Sequence, residues 1–433
     1  MAISSAEFEE RTYLQVTLRL IPFLMICYVV AYLDRVNVGF AKLQMLPDLG
    51  LNEADYGVGA SAFFVGYILF GIPSNLLALR FGARVWIACI MAVWGLLSSL
   101  MMFVTTSSEF FFLRFLLGVA EAGFYPGVIL YLTRWFPSQR RGRALSLFQS
   151  AIALAGLIGN PVSGWILDHL QGYADLKGWQ WLFLIEALPA VLAAALVSYF
   201  LTNDIADAQW LGPKQQEFLI QKVADDHSST TAPLFISVFT DIRVWTLCLL
   251  VFGLIMGLYA ISFWMPTLLH DAGLGSNSEV GLLSSIPNLA ALVGMFLFAR
   301  SSDKKRERRY HVAAAATLGS VGLVASVALD HQPILATLSL SVAAVGLLSA
   351  LPLQWNLLST LSSRSTAAVT IGLVNSFSSL GGIVSPALIG WLKNRMHSID
   401  VGMYIIASCV MISALLALSF PRTLDQQALL SRS

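Results

Sequence analysis

Tyr32-Leu33-Asp34-Arg35-Val36-Asn37 lies deep inside an otherwise apolar segment running from Leu18 to Ala41. A carboxylate and a guanidinium side by side in a membrane-length helix are costly, roughly 2.5–3.5 kcal/mol each at the helix centre on insertion scales. A chain that keeps both has a use for them, either on an ion or substrate path or as an internal ion pair that only packs helices. Adjacent helical residues point roughly 100° apart, so Asp34 and Arg35 can address two different partners in one cavity.

The rest of the chain supports a membrane setting for this pair. Its 433 residues are 57% hydrophobic and 12% charged, with a mean hydropathy of +0.73. A soluble protein of this length could not hide so much apolar surface, and the composition is that of an all-α polytopic membrane protein. A net charge of +1 gives no sign of a nucleic-acid partner. Glu7, Glu9, Glu10 and Arg11 stand where a secretory signal would be basic, so the first apolar segment is expected to remain in the mature protein. Cys27, Cys89, Cys248 and Cys409 are scattered through apolar segments without ligand spacing. They read as small buried side chains, and neither a metal nor a cofactor is expected. The histidines (His169, His227, His270, His311, His331 and His397) fall in or beside polar loops. A proton relay would therefore have to use carboxylates.

Hydropathy predicts twelve spanning helices, near Leu18–Ala41, Asp55–Leu79, Val85–Val104, Phe110–Trp135, Arg143–Leu167, Trp181–Leu201, Val244–Leu269, Val280–Ala299, Val312–Leu329, Pro333–Leu357, Ala367–Leu392 and Val401–Phe420. A hydrophilic stretch from Thr202 to Arg243 divides them. The expected organisation is a six-helix half over 1–201, a cytoplasmic linker over 202–243 with a short amphipathic helix around Lys214–Val223, and a second half over 244–433. The halves echo each other. Gln149-Ser150, Gly156, Pro161, Gly164 and Trp165 are matched about 225 positions later by Asn375-Ser376, Gly381-Gly382, Pro386, Gly390 and Trp391. Repeated halves are a transporter signature, with the site at the midplane between them.

Charge orients the spans. With both termini cytoplasmic, the inner side collects twenty lysines and arginines, and the outer side keeps only Lys42, Lys177, Lys393 and Arg395. That bias follows the positive-inside rule. Arg35 and Arg114 remain within the membrane.

At this point the sequence resembles the major facilitator superfamily, and within it the anion:cation symporter family. The matching stretches are Leu33-Asp34-Arg35-Val36-Asn37-Val38-Gly39 in helix one, Ile72-Pro73-Ser74-Asn75 and Arg80-Phe81-Gly82-Ala83-Arg84 around the end of helix two, Leu113-Arg114-Phe115 through Glu121-Ala122-Gly123-Phe124-Tyr125-Pro126-Gly127 in helix four, then Trp135-Phe136-Pro137 and Arg140-Arg141-Gly142-Arg143-Ala144. The resemblance covers essentially the whole chain. It implies alternating access by rocking of two pseudo-symmetric halves, and a small organic anion carried with protons, such as tartrate, phthalate, hydroxyphenylacetate or a sugar acid. It also implies roles by position. Asp34 and Glu121 match proton-accepting carboxylates. Arg35, Tyr67, Trp355 and Asn375 match positions that hold the anion. Arg114 matches a basic residue of the charge network. There are departures too. Leu79 stands before Arg80 where the superfamily usually carries an acid, while Ser302-Asp303-Lys304 keeps that acid in the second half. Ile152 stands where some relatives bind substrate through a glutamine, which points to a less hydroxylated substrate than a sugar acid.

The same residues can be read from physics alone. Arg114 and Glu121 are seven apart, on one helix face and roughly 10 Å apart along the axis. Each needs a partner elsewhere, and Asp34 and Arg35 are the obvious ones; the alternative is a network that only locks packing. Burial disfavours a charged carboxyl and a nearby cation favours it, so an acid that shares its cation with an anionic substrate can change protonation during a cycle. Arg35 suits carboxylates through its planar fork. Tyr67 offers a hydroxyl, Asn375 an amide and Trp355 an indole, with Gln354 and Asn356 expected to point elsewhere. Glu186 reads as a packing acid in helix six. Gly156, Gly159, Pro161 and Gly164 either allow close helix contact or echo an antiporter motif. The run from Lys304 to Arg309 reads as a lipid-facing or gating loop.

These readings predict a monomeric inner-membrane symporter for a small carboxylate, whose partners are the anion, protons and the bilayer. An anion exchanger and a non-transporting sensor on the same fold are the alternatives. No nucleophile–base pair, metal cluster or nucleotide loop suggests an enzyme.

Overall fold

The computed structural model describes residues 5–228, 235–305, 307–329, 331–361 and 367–420, without the side chains of 5, 138, 227, 228, 235–237, 355, 356, 358–361, 367 and 368. Its regular structure among these residues is helical throughout. Twelve helices are long and apolar enough to cross a membrane: Ala6–Leu49, Glu53–Phe81, Ala83–Phe103, Ser107–Trp135, Gln139–His169, Gly178–Phe200, Ile242–Asp271, Asn277–Lys305, Arg309–Ala328, Pro333–Gln354, Val369–Met396 and Asp400–Ser419. They are numbered here as spans 1 to 12.

Most spans are longer than their apolar stretches because polar side chains extend and cap them outside the hydrocarbon. Asn52 opens span 2 with a capping box. Its Oδ1 accepts from the backbone amides of Ala54 (2.8 Å) and Asp55 (3.0 Å), and Asp55 Oδ2 accepts from the Asn52 amide (3.0 Å). Thr106 and Glu109 open span 4 in the same way. Span 1 begins well before Leu18. Its polar first turns pack on the linker, with Phe8 edge-on to Phe218 of the helix Pro213–Ser228 and Gln15 donating to the carbonyl of Trp210, just before that helix, at 2.8 Å. Leucines and isoleucines such as Leu18, Ile72, Leu192 and Ile334 stay exposed on the outward faces, where lipid tails are the solvent.

Three spans are jointed, which hydropathy did not predict. Span 1 changes segment at Asn37, between Ser5–Val36 and Val38–Leu49. Span 4 breaks between Ser107–Glu121 and Phe124–Trp135. Span 5 breaks between Ser138–Gln149 and Ala151–His169. Such joints are a transporter trait, and they sit beside sites near the midplane.

The two halves cross on glycines. Spans 2 and 11 meet at Gly57 and Gly390, where an added Cβ on Gly57 would lie 2.6 Å from the Pro386 carbonyl oxygen. Spans 5 and 8 meet at Gly164 and Gly281, where a Cβ on Gly164 would lie 2.2 Å from the Asn277 carbonyl oxygen. The glycines of span 5 thus serve close helix contact, as the first of the two readings has it. Gly57 and Gly281, like Gly164 and Gly390, stand about 225 positions apart, so the two crossings are copies of one another.

Polar contacts between the halves gather at this same end. Asp168 accepts from the side chain of Asn277 (2.7 Å) and the amide of Ser278 (2.7 Å), Tyr56 donates to the Phe263 carbonyl (2.9 Å), and Lys393 bridges Glu53 (3.2 Å) and Asp271 (2.8 Å). Buried Lys42 pairs with Glu53 at 2.8 Å and lies 3.8 Å from the ring centre of Trp264.

The glycine crossing yields a prediction. Overpacking it costs about 1–3 kcal/mol of contact between the halves, so Gly164→Leu loosens this end. A cysteine introduced at Ser278 in a cysteine-free background is expected to react faster with a soluble maleimide in the Gly164→Leu protein. Equal labelling rates would mean that the crossing does not hold this end shut.

Candidate functional site

Below the crossings, a cavity opens between the halves. Spans 1, 2, 4 and 5 line it with Tyr28, Tyr32, Arg35, Phe64, Tyr67, Tyr125, Gln149 and Ile152. Spans 7, 10 and 11 line it with Val251, Ile255, Leu258, Tyr259, Leu351, Gln354, Asn375, Ser378 and Ser379.

The wall follows from helical spacing. Tyr28, Tyr32 and Arg35 recur at four and three residues on span 1, and so share one face. Val251, Ile255, Leu258 and Tyr259 do the same on span 7. The tyrosines are braced from behind. Tyr28 stacks on Phe148 with centroids 4.6 Å apart, Gln149 Nε2 donates to the Tyr125 hydroxyl (2.7 Å), and the Tyr32 hydroxyl shares a hydrogen bond of 2.7 Å with Ser262 Oγ of the opposite half.

Arg35 is the cationic centre of this wall. Its Nη2 donates to Glu121 of span 4 in a buried ion pair, and its Nη1 donates to the Tyr259 hydroxyl of span 7 at 2.9 Å. Its guanidinium carbon also lies 5.3–5.8 Å from the ring centres of Tyr32, Phe63 and Tyr67, within range of cation–π attraction. One side chain therefore touches both halves, and its fork is already shared between an acid and a hydroxyl.

Asp34 turns the other way. Its Oδ2 accepts from Trp94 Nε1 (2.8 Å) and its Oδ1 from Ser98 Oγ (2.9 Å), both on span 3. The adjacent charges do address two different partners, but Asp34 is not among the residues that line the cavity. Arg114 is fully buried and does not form the expected bond to Asp34. Its Nη2 donates to the Arg35 main-chain carbonyl at 3.2 Å, and Phe63 covers its guanidinium at 5.2 Å. The joint at Asn37 explains this choice, because a helix that changes segment there leaves carbonyls in need of donors, and Arg114 supplies one.

Of the residues expected to hold an anion, Arg35, Tyr67 and Asn375 share the cavity. The side chain of Trp355 lies outside the described residues. Gln354, expected to point elsewhere, lines the cavity instead, because the face of span 10 turned inward carries Leu351 and Gln354, three apart. Gln354 is buried and its Oε1 has no partner. Reading the sequence also passed over Tyr28, Tyr125, Gln149 and Tyr259. Of these only Tyr28 carried a signal, standing at helical spacing with Tyr32 from the buried Arg35.

In the second half, Asp303 of the retained motif stands in the last turn of span 8 and pairs with Arg308, just before span 9, at 2.7 Å.

Comparisons with known proteins place this geometry. A model of the Major Facilitator Superfamily matches residues 24–386. The "Putative metabolite transport protein NicT" of Pseudomonas putida is 42% identical over 414 residues, covering 95% of each chain. A "Putative tartrate transporter" of Agrobacterium vitis is 40% identical over 422 residues, covering 97% of this chain and 96% of the relative. The xylose transporter XylE from E. coli, solved in a partially occluded inward open conformation, superposes with a TM-score of 0.74 at 16% identity, covering 93% of this chain and 97% of that one. The last comparison speaks to fold alone.

Proposed function

The chain belongs to the major facilitator superfamily, and from that premise we propose that it is a proton-coupled symporter of a small organic anion, an aromatic or hydroxy acid bound through its carboxylate. The observation that carries this reading is the sharing of Arg35. Arg35 lines the cavity, and its two terminal nitrogens are held by Glu121, which does not line it, and by Tyr259 of the other half, which does.

An incoming carboxylate is a better partner for the planar fork than an acid and a phenol taken separately, since both of its oxygens can accept in parallel. When it takes Arg35, Glu121 loses its counter-charge in a dry interior, where an ionised carboxyl without a cation is strongly disfavoured. Glu121 then takes up a proton. For a monocarboxylate the loaded site has gained one negative charge and one proton, so its net charge is unchanged and the halves can close over it. After the anion leaves, Glu121 must give up its proton to recover Arg35. That obligatory release ties transport to the proton gradient.

The rest of the wall favours a ring. Five tyrosines and Phe64 offer flat faces and a few hydroxyls, while Ile152 keeps one side apolar. Gln149, Gln354 and Asn375 are left to read polar substituents.

The charge bias supports an inner-membrane protein with both termini and the linker cytoplasmic, which makes the closed glycine end periplasmic and this conformation inward-facing. A periplasm-dependent reporter fused after Lys177 should give signal and one fused after Lys214 should not; the reverse pattern would overturn the orientation.

Two substitutions test the site. Arg35→Lys keeps the charge and loses the fork. The melting-temperature rise produced by the best carboxylate of a screen that includes phthalate and tartrate should disappear in this variant. An undiminished rise would mean that Arg35 is not the clamp. Glu121→Gln imitates the protonated acid permanently. In liposomes it should still exchange labelled for unlabelled substrate and should fail to accumulate substrate under a pH gradient. Wild-type accumulation would remove Glu121 from coupling and leave Asp34 as the acid to test.

A further inference from the structure

One buried acid has no part in the cavity. Glu186 on span 6 is only 5% exposed, and its Oε1 accepts from Ser163 Oγ of span 5 at 2.5 Å. Its Oε2 has no partner. Asn37 stands at the joint of span 1, which packs on span 6, and its Oδ1 and Nδ2 are likewise unpartnered at 2% exposure.

Other buried acids of this half are provided for. Glu121 has a guanidinium, Asp34 has two donors, and Glu53 has two lysines. Among the described residues, Ser163 Oγ is the donor that reaches Glu186, and no lysine or arginine pairs with it. Arg35 lines the cavity, Arg114 gives its Nη2 to the Arg35 carbonyl and leaves Nε and Nη1 unpartnered, and Lys42 is held by Glu53. Of the elements packed on span 6, span 1 brings Asp34, three residues before Asn37. Span 5 faces it with Ser163, and its titratable groups at this end, Asp168 and His169, lie about one and a half turns further along. Span 3 has its Trp94 and Ser98 on Asp34, with Cys89 exposed roughly 13 Å along the helix from Ser98.

We propose that Glu186 is a second proton-binding site of the transport cycle, working through Asn37 at the joint of span 1. The proposal rests on the proton-coupled reading of the cavity. A proton on Oε2 lets that oxygen donate to Asn37 Oδ1, which satisfies two orphaned atoms with one bond and removes the unpaired charge. Two neighbouring carboxyls resist ionising together, so the proton on Glu186 responds to the state of Asp34, one turn before Asn37. Because Asn37 sits at the joint, a change in the angle between the segments of span 1 moves the amide away from Oε2, and the proton loses its acceptor.

Infrared difference spectra of the purified protein, taken between acid and alkaline pH, read this without any substrate. A protonated-carboxyl band should titrate in the wild type, be missing in Glu186→Gln, persist in Glu186→Asp and shift in Asn37→Ala. A band that does not titrate would make Glu186 a fixed structural acid and overturn the proposal. Transport gives a second reading, with radiolabelled tartrate in proteoliposomes at zero membrane potential and a one-unit pH gradient. Each coupled proton contributes about a factor of ten, so accumulation should fall from about 100-fold to about tenfold in Glu186→Gln. Equal accumulation in the two proteins would also overturn the proposal. If the wild type accumulates no tartrate, the failure belongs to the cavity reading, and the infrared titration still decides Glu186.

Discussion

A guanidinium keeps its charge inside a protein, and burying that charge in a membrane interior is costly unless it is partnered. Arg35 imposes this condition on everything around it. Its counter-charge must come from another helix, and Glu121 of span 4 provides it. Its second nitrogen reaches across to Tyr259, so a side chain of one half has its polar surroundings completed by the other. The main chain behind it is held by Arg114, and the neighbouring acid is drawn away by Trp94 and Ser98. Any event at Arg35 is therefore felt in spans 1, 3, 4 and 7 together. On the proposed reading, this is how a small anion at Arg35 biases the arrangement of two six-helix halves.

The sequence revealed the twelve spans, the polar divide between the halves and the buried charges, because all of these depend on composition within a helix-length window. The separate destinations of Asp34 and Arg35 followed from the 100° step of a helix. The joints at Asn37, Ala122-Gly123 and Ser150 were not legible. Each lies inside an apolar run and arises from contacts with other spans; Gly123, for example, packs so closely on Ser74 that a side chain there would overlap its hydroxyl. Gln354 was assigned to the wrong face because resemblance favoured its neighbour Trp355. Adjacent residues exchange faces with a small rotation of the helix, and only packing fixes that rotation. Tyr259 was missed because its partner lies 224 residues away, beyond any local pattern. Glu186 was read as a packing acid; that it is buried without an ion-pair partner among the described residues is a property of three packed spans.

The tyrosine wall also bears on selectivity. A tyrosine has two side-chain torsions, and these are further restrained by Phe148, Gln149 and Ser262. Little side-chain freedom remains to be lost when a ligand enters. A cavity built this way discriminates by the outline of what it admits, whereas one lined by lysines or methionines would adapt to its contents.

The glycine crossings also set a mechanical advantage. Backbone meets backbone at Gly57–Gly390 and Gly164–Gly281, with no side chains between to cushion or slide, so each contact serves as a fulcrum. From Gly164 to the far end of span 5 at Gln139 the helix extends roughly 37 Å. A rotation of a tenth of a radian about such a point hardly disturbs the glycines, yet it carries the distant end through roughly 4 Å, about the breadth of a water molecule and more. Off-centre fulcra thus turn small repackings near one face of the membrane into wide displacements at the other. For the opposite face to open in its turn, the axis of rotation must migrate along the helices to a new set of contacts.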